Sequence, residues 1–408
     1  MIVYPAEDVG MSSERLRRVN DYLDREVAEN KLPGMIAIAQ RRRIPIHHSL
    51  HGLMDIEAGR PMEADALFRI YSMTKPIVSL AVMMLHDEGR LQLHDPVAKY
   101  IPSIGKMKVF SHVTDRVPQF VGQDPAMTVF HLLTHMSGFS NGKDPFHPAD
   151  QLYQQSGQAL GFYRRDMPLE DLVAHFADLP LKFQPGSNWN YGVSTDVLGY
   201  LLQVIADMPL ADFLKRKIFA PLGMADTDFH VPQEKVHRLA RLYSSDAVYD
   251  PQLIPHEDAA LGDVRQPTLC PSGSGGLVST AADYLRFATM LINGGELDGA
   301  RIVSPMTIKR MTANAVPRAY LPLKTGVERY GYGFGLGFRV MIDVGQANGY
   351  SSPGEYGWAG AASTYFVVDP RQELIILLLT QMWSHQPHPP RSIVPNLVYQ
   401  AIDDLNDA

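Results

Sequence analysis

Three serines in this chain stand three residues ahead of a lysine: Ser72 before Lys75, Ser103 before Lys106 and Ser140 before Lys143. On a helix, residues three apart share a face, so the lysine amine can approach the serine hydroxyl and accept or relay its proton. The chemistry this allows is covalent: the serine oxygen attacks a carbonyl and carries the acyl group until a second nucleophile removes it. Spacing alone does not choose among three copies, so the flanking residues must.

Ser72-Met73-Thr74-Lys75-Pro76 runs into Ile77-Val78-Ser79-Leu80-Ala81-Val82-Met83-Met84-Leu85, whose apolar character marks a buried helix. Pro76 suits the first turn, where N–H groups have no partner within the helix. By contrast, Ser103-Ile104-Gly105-Lys106 follows a proline and contains a glycine, and Ser140-Asn141-Gly142-Lys143 is turn chemistry. Neither offers a fixed face, which leaves Ser72 as the candidate nucleophile with Lys75 beside it. A helix start there also places the positive end of the helix dipole near any oxyanion. Gly138-Phe139-Ser140-Asn141-Gly142 is a literal G-x-S-x-G, but the nucleophile elbow needs a strand before the serine and a helix after it. Here a helical run, 128–135, precedes and loop residues follow, so Ser140 is set aside.

The elements that would position these residues come from both ends of the chain. Ser12 and Ser13 can cap a helix with Leu16, Val19, Leu23 and Val27 at helical spacing, ending at Pro33-Gly34. Two strand-like runs follow, 35–40 and 44–50, and two more, 363–368 and 374–379, are joined by the turn sequence Asp369-Pro370-Arg371-Gln372 and read as a central hairpin. Residues 393–405 suggest a closing helix. Between the ends, 77–88, 128–135, 169–176 and 195–206 read as helices. Strands at both termini with helices between them imply an α+β fold.

Taken together, Ser72-Met73-Thr74-Lys75-Pro76, Leu132-Leu133-Thr134-His135-Met136-Ser137-Gly138, Gln184-Pro185-Gly186-Ser187-Asn188-Trp189-Asn190-Tyr191 and Gly275-Gly276-Leu277-Val278-Ser279-Thr280-Ala281-Ala282-Asp283 resemble, in this order, the class C β-lactamases, penicillin-binding-protein-like serine hydrolases and family VIII carboxylesterases. The resemblance implies a β-lactamase/DD-peptidase-like fold: an antiparallel sheet flanked by helices, with an α+β domain from 1–79 and 225–408 and a mainly helical domain, 80–224, inserted. It places the family's catalytic tyrosine at Tyr191, with either Lys75 or Tyr191 as the formal base. β-Lactamases and DD-peptidases carry Lys-Thr-Gly on a strand lining the site. A literal Lys324-Thr325-Gly326 is present, but the Gly/aromatic segment 331–337, which precedes that box in the family, follows it here. Trp358-Ala359-Gly360 is similar to the W-x-G box of family VIII esterases, and the resemblance makes it the substrate-binding third box, with the backbone N–H groups of Ser72 and Ala361 as the oxyanion hole. Val193 replaces the asparagine of the β-lactamase Tyr-x-Asn motif, and Trp358 replaces a cation. Both changes remove polar contacts to a substrate carboxylate. The expected activity is therefore hydrolysis of short-chain carboxylic esters through a Ser72 acyl-enzyme. The alternatives are acyl transfer, a D-amino-acid peptidase or amidase, weak β-lactam hydrolysis, or a non-enzymatic ligand-binding homologue.

Composition bounds the rest. The 408 residues are 45% hydrophobic and 20% charged, with 30 Pro and 32 Gly spread throughout, as expected for a soluble globular protein of roughly two or three folding units. With 37 basic against 44 acidic residues, nucleic acid is an unfavoured partner, and the run Arg41-Arg42-Arg43 reads as a solvated hairpin turn. The first twenty residues hold no signal-like segment and no apolar run is long enough for a membrane span, so a cytoplasmic enzyme of small-molecule esters is expected. The lone Cys270 reads as inert packing. His131 and His135 have zinc-pair spacing but Leu132 stands where the zinc-protease motif has glutamate, and His135 reads as a buried helix-end residue with a satisfied hydrogen bond. His47, His48, His51, His385 and His388 lack ligand spacing, the last two reading as solvent-exposed; no metal or cofactor is expected.

Overall fold

The computed structural model describes residues 1–157, 165–245, 252–257, 262–325, 328–383 and 389–406. An eight-stranded antiparallel sheet dominates it. Its strands are β1 (Gly34–Arg41), β2 (Ile44–Asp55), β3 (Arg60–Pro61), β4 (Tyr332–Phe334), β5 (Arg339–Met341), β6 (Tyr356–Ala359), β7 (Tyr365–Asp369) and β8 (Leu374–Thr380), in the spatial order β4-β5-β6-β7-β8-β1-β2-β3. The two ends of the chain meet at the β8–β1 pair, where Ile38 lies opposite Leu377.

Alternation along each strand sorts side chains between two layers. Met35, Ala37, Ala39, Val367, Ile376 and Leu378 pack on one face against α1 (Ser13–Ala28) and the C-terminal helix Pro390–Tyr399. Ile36, Ile38, Phe366, Val368, Ile375 and Leu377 belong to a cluster on the other face that includes α2 (Thr74–Asp87), α3 (Val129–Leu133), α4 (Ser194–Ala206) and α5 (Ala281–Ile292). Because both faces are covered, β1 and β8 read as near-continuous apolar runs. Ser12 caps α1 by accepting from the Arg15 N–H, as its position before the apolar pattern predicts.

Three features differ from the sequence reading. The closing helix is Pro390–Tyr399 rather than 393–405. Beyond it the backbone turns to the N-terminal segment, where Asp403 N–H donates to Gly10 O and Ile402 bridges Met11. Arg41 is not solvated: it is 0% exposed and donates to the carbonyls of Val9, Gly10, Gln372 and Asp404, so only Arg42 and Arg43 form the left-handed tip of the hairpin. The middle of the chain also carries an unforeseen hairpin, Val109–Thr114 with Val117–Val121. Among the described residues no single helix is long and apolar enough to cross a membrane.

Candidate active site

Ser72 sits in a 3-10 turn, Tyr71–Met73, that feeds α2, so it stands just ahead of the α-helix rather than as its first residue. Tyr71 has φ 46°, a left-handed conformation that costs a non-glycine residue about 1–3 kcal/mol and must be held by its surroundings. Pairing of Phe68–Arg69 with Val278–Ser279 on one side and entry into α2 on the other supply that hold. Ser72 is partly exposed, whereas Lys75 lies buried beneath it. The Lys75 Nζ donates to Ser72 Oγ at 3.1 Å and to the Ser274 carbonyl at 2.7 Å. The i, i+3 geometry expected of this pair is present.

Tyr191 arrives from a loop fixed at two points. Asn190 N–H donates to His135 O, and a side chain at Gly192 would collide with Phe139 O at 2.4 Å, so the close approach requires glycine. The Tyr191 hydroxyl donates to Ser72 Oγ at 2.8 Å, and Lys75 Nζ lies 4.7 Å from the centre of its ring. Burial opposes ionisation of this phenol, but the Lys75 charge and the polar contacts of the hydroxyl with Lys75, Ser72 and Trp358 outweigh it, and the phenol titrates below its usual range.

Trp358 closes the third side from β6. Its Nε1 donates to the Tyr191 hydroxyl at 3.4 Å and the two rings pack with centres 5.4 Å apart, so the indole contacts the phenol directly. Gly360 follows where the chain passes so close to Ile70 that a side chain would meet Ile70 O at 2.5 Å. Thr364 Oγ1 donates to that same carbonyl at 3.4 Å, and Arg391 donates to Gly360 O at 3.2 Å. These contacts seat the strand end beside the Ser72 turn, with Ala359 partly exposed and Ala361 exposed just beyond it.

The rival residues go elsewhere. Lys324 is an exposed residue on the short strand Leu323–Lys324, within 3.6 Å of Glu328. Ser140 is fully buried and donates to Asp150 at 2.6 Å. His131 accepts the Thr128 N–H in a capping box. His135 is buried at the end of α3, but its Nδ1 has no hydrogen-bond partner among the described residues, contrary to the expectation of a satisfied ring. It packs instead in an aromatic cluster with Tyr191, Trp189 and Phe334, where burial and the Lys75 charge hold its pKa down at about 3. Cys270 is buried, its thiol pushed up to about 12 by desolvation. His385 and His388 lie outside the described residues.

Two members of the site went unread in the sequence. The Ser274 carbonyl receives Lys75, and Asp196, on α4, accepts from the Ser272 hydroxyl at 2.7 Å and the Ser274 N–H at 3.0 Å. The run Ser272-Gly273-Ser274 beside the Gly275-Gly276 motif was the available signal, since a small-residue turn permits close backbone approach.

The profile of the Beta-lactamase family matches residues 19–394. Protein Rv1367c of Mycobacterium tuberculosis is 34% identical over 368 residues, 88% of each chain, and Esterase EstB of Burkholderia gladioli is 32% identical over 375 residues, 89% of each. In fold, the chain is similar to EstCE1, described as a hydrolase with promiscuous acyltransferase activity, with a TM-score of 0.77 at 24% identity over 96% of this chain and 99% of that one. With the family profile spanning most of its length and a fold to match, the chain belongs to the Beta-lactamase family and is a serine hydrolase.

Proposed function

We propose that this hydrolase cleaves carboxylic esters of short acyl chain, with Ser72 as the residue acylated. The observation that carries this reading is the convergence of Lys75 Nζ and the Tyr191 hydroxyl on one partly exposed serine oxygen, with no carboxylate bonded to it among the described residues. The Lys75 ammonium favours the negative charge that grows on Oγ, and Tyr191, once ionised, is within reach to take the serine proton.

In this mechanism the Tyr191 phenol, eased into its ionised form by the Lys75 ammonium, takes the Ser72 proton as Oγ bonds to the ester carbonyl carbon. The tetrahedral oxyanion is received by the backbone N–H groups of Ser72 and Ala361. Collapse breaks the bond to the alcohol oxygen, which leaves with the proton from Tyr191. Water then attacks the acyl-Ser72 ester, giving its proton to Tyr191, and collapse breaks the acyl–Oγ bond, the acid departing as Oγ takes that proton back from Tyr191. An alcohol in place of water gives acyl transfer, the activity named for EstCE1, so the two outcomes share one intermediate.

Trp358 and Val193 support the ester preference. Trp358 directs its only polar atom to Tyr191, and Val193 is packed in the core, so neither supplies a charge-assisted bond to a substrate carboxylate. Neutral esters are therefore preferred over carboxylate-bearing lactams by at least about 10³-fold in kcat/KM, about 4 kcal/mol of differential transition-state binding. Side-by-side assays of p-nitrophenyl butyrate, nitrocefin and a D-alanyl peptide test it. Comparable values for the ester and nitrocefin, or faster cleavage of the peptide, would overturn the substrate assignment.

A further inference from the structure

We propose that Asp196 is a positioning residue of this site: it clamps the turn whose carbonyl receives Lys75 and sets a buried carboxylate behind the ammonium. The inference rests on the acyl-enzyme reading of Ser72 and adds to it a fourth side chain that touches neither substrate nor nucleophile.

The connection is short. Asp196 Oδ1 accepts from the Ser272 hydroxyl at 2.7 Å and from the Ser274 N–H at 3.0 Å, and the carbonyl of the same Ser274 accepts from Lys75 Nζ at 2.7 Å. The turn is also pressed on α4: a side chain at Gly273 would meet the Thr195 carbonyl at 2.4 Å. Packing alone would therefore hold the turn near the helix. A carboxylate is a costly extra, because this one is 0% exposed and its Oδ2 has no well-formed hydrogen bond among the described residues. An asparagine could accept the same two bonds without that desolvation penalty, which makes the charge the feature to test.

The effect of that charge is electrostatic. The titratable groups acting on or acted on by Asp196 are Lys75 on α2 and Cys270, two residues before Ser272, with Arg165 also acting on Cys270. Burial pushes the Asp196 carboxyl up from its usual range, against the pull of the Ser274 and Ser272 hydroxyls and of Lys75. No described carboxylate lies within ion-pair distance of Lys75, so Asp196 acts on it as a counter-charge one peptide group away. A negative charge there favours retention of the proton shared among Ser72, Lys75 and Tyr191; its removal eases loss of that proton.

The experiment is a pH profile of kcat/KM for p-nitrophenyl butyrate, paired with the pH dependence of fluorophosphonate labelling of Ser72. Asp196→Asn keeps an acceptor in place and removes the charge. Its acid limb moves to lower pH by about one unit in both measurements. Ser272→Ala, which keeps the carboxylate but strips a bond favouring its ionised form, moves the limb the same way by less, and it decides the matter should Asp196→Asn not fold. Profiles of both variants that superimpose on wild type would reduce Asp196 to packing and overturn the inference while leaving the acyl-enzyme intact. Failure of wild-type Ser72 to label at all would remove the acyl-enzyme reading and this inference with it.

Discussion

Ser72 and Ser140 are the instructive pair in this molecule. Each begins a Ser-x-x-Lys pattern and each lies in a polar network, yet the networks have opposite signs. Around Ser72 the neighbours donate: Lys75 at 3.1 Å and Tyr191 at 2.8 Å both direct hydrogens at Oγ. Around Ser140 the principal neighbour accepts: its hydroxyl hydrogen is held by Asp150 at 2.6 Å, and Asp150 is in turn paired with Lys182 at 2.6 Å. The phenol, eased toward ionisation by Lys75, can take the serine proton, and the ammonium favours the oxyanion left behind. A carboxylate already paired with lysine holds the proton in place instead, and the serine, 0% exposed, is a structural crosslink. What separates nucleophile from crosslink is the setting of the hydroxyl: a partly exposed oxygen beside a lysine and an ionisable phenol against a buried one tied to a lysine-paired carboxylate, which the four-residue pattern does not encode.

The sharpest way to break this contrast is to remove each hydroxyl in turn. Ser72→Ala loses covalent catalysis while binding remains, so kcat falls by at least about 10⁴-fold with the fold unchanged. Mass spectrometry of protein treated with a fluorophosphonate places the adduct on Ser72 in wild type and finds none in the variant. An adduct on Ser140, or retained turnover in Ser72→Ala, would invert the assignment.

A smaller effect tests whether the two donors act as one unit. Lys75 and Tyr191 meet both at Ser72 Oγ and through the 4.7 Å approach of the ammonium to the ring. Lys75→Ala and Tyr191→Phe should each lower kcat/KM by about 10²–10⁴-fold, with the double variant little worse than the poorer single one, because coupled groups are grossly non-additive. Losses that sum in the logarithm would show two independent donors, and the contrast with Ser140 would then rest on geometry alone.

How far the sequence could carry these distinctions depends on how local the determinants are. Ser72 was separable from Ser103 and Ser140 because the deciding features, an apolar helix behind one and turn residues around the others, lie within about ten positions. The sheet was legible for the same reason: 35–40, 44–50, 363–368 and 374–379 announce themselves by local apolar runs, and all four became strands of the central sheet. Tyr191 and Trp358 were nameable only through resemblance, since nothing in their own neighbourhoods requires them to meet Ser72. The Ser274 carbonyl and Asp196 escaped altogether, being joined to their partners across 199 and 76 to 78 positions. Arg41 shows the reverse failure. Its charge suggested solvent, but the Asp404 carboxylate at 2.6 Å and four carbonyls from separated segments converge to satisfy it inside.

The smallest expected effect belongs to the crosslink itself and concerns stability rather than rate. Ser140→Ala strips one donor from Asp150 and leaves the Gly142 N–H, which donates to Ser140 Oγ at 3.0 Å, without its acceptor. Asp150 keeps Lys182 and the Asp144 N–H at 3.2 Å, so its charge remains compensated and the damage stops at the lost hydrogen bonds. Leaving a buried group unsatisfied in this way costs about 1–3 kcal/mol. The urea midpoint should fall by the corresponding amount, while kcat/KM per folded molecule and labelling of Ser72 stay at wild-type values. The opposite result, an unchanged midpoint with lost activity, would make Ser140 a participant in catalysis and erase the distinction between the two serines.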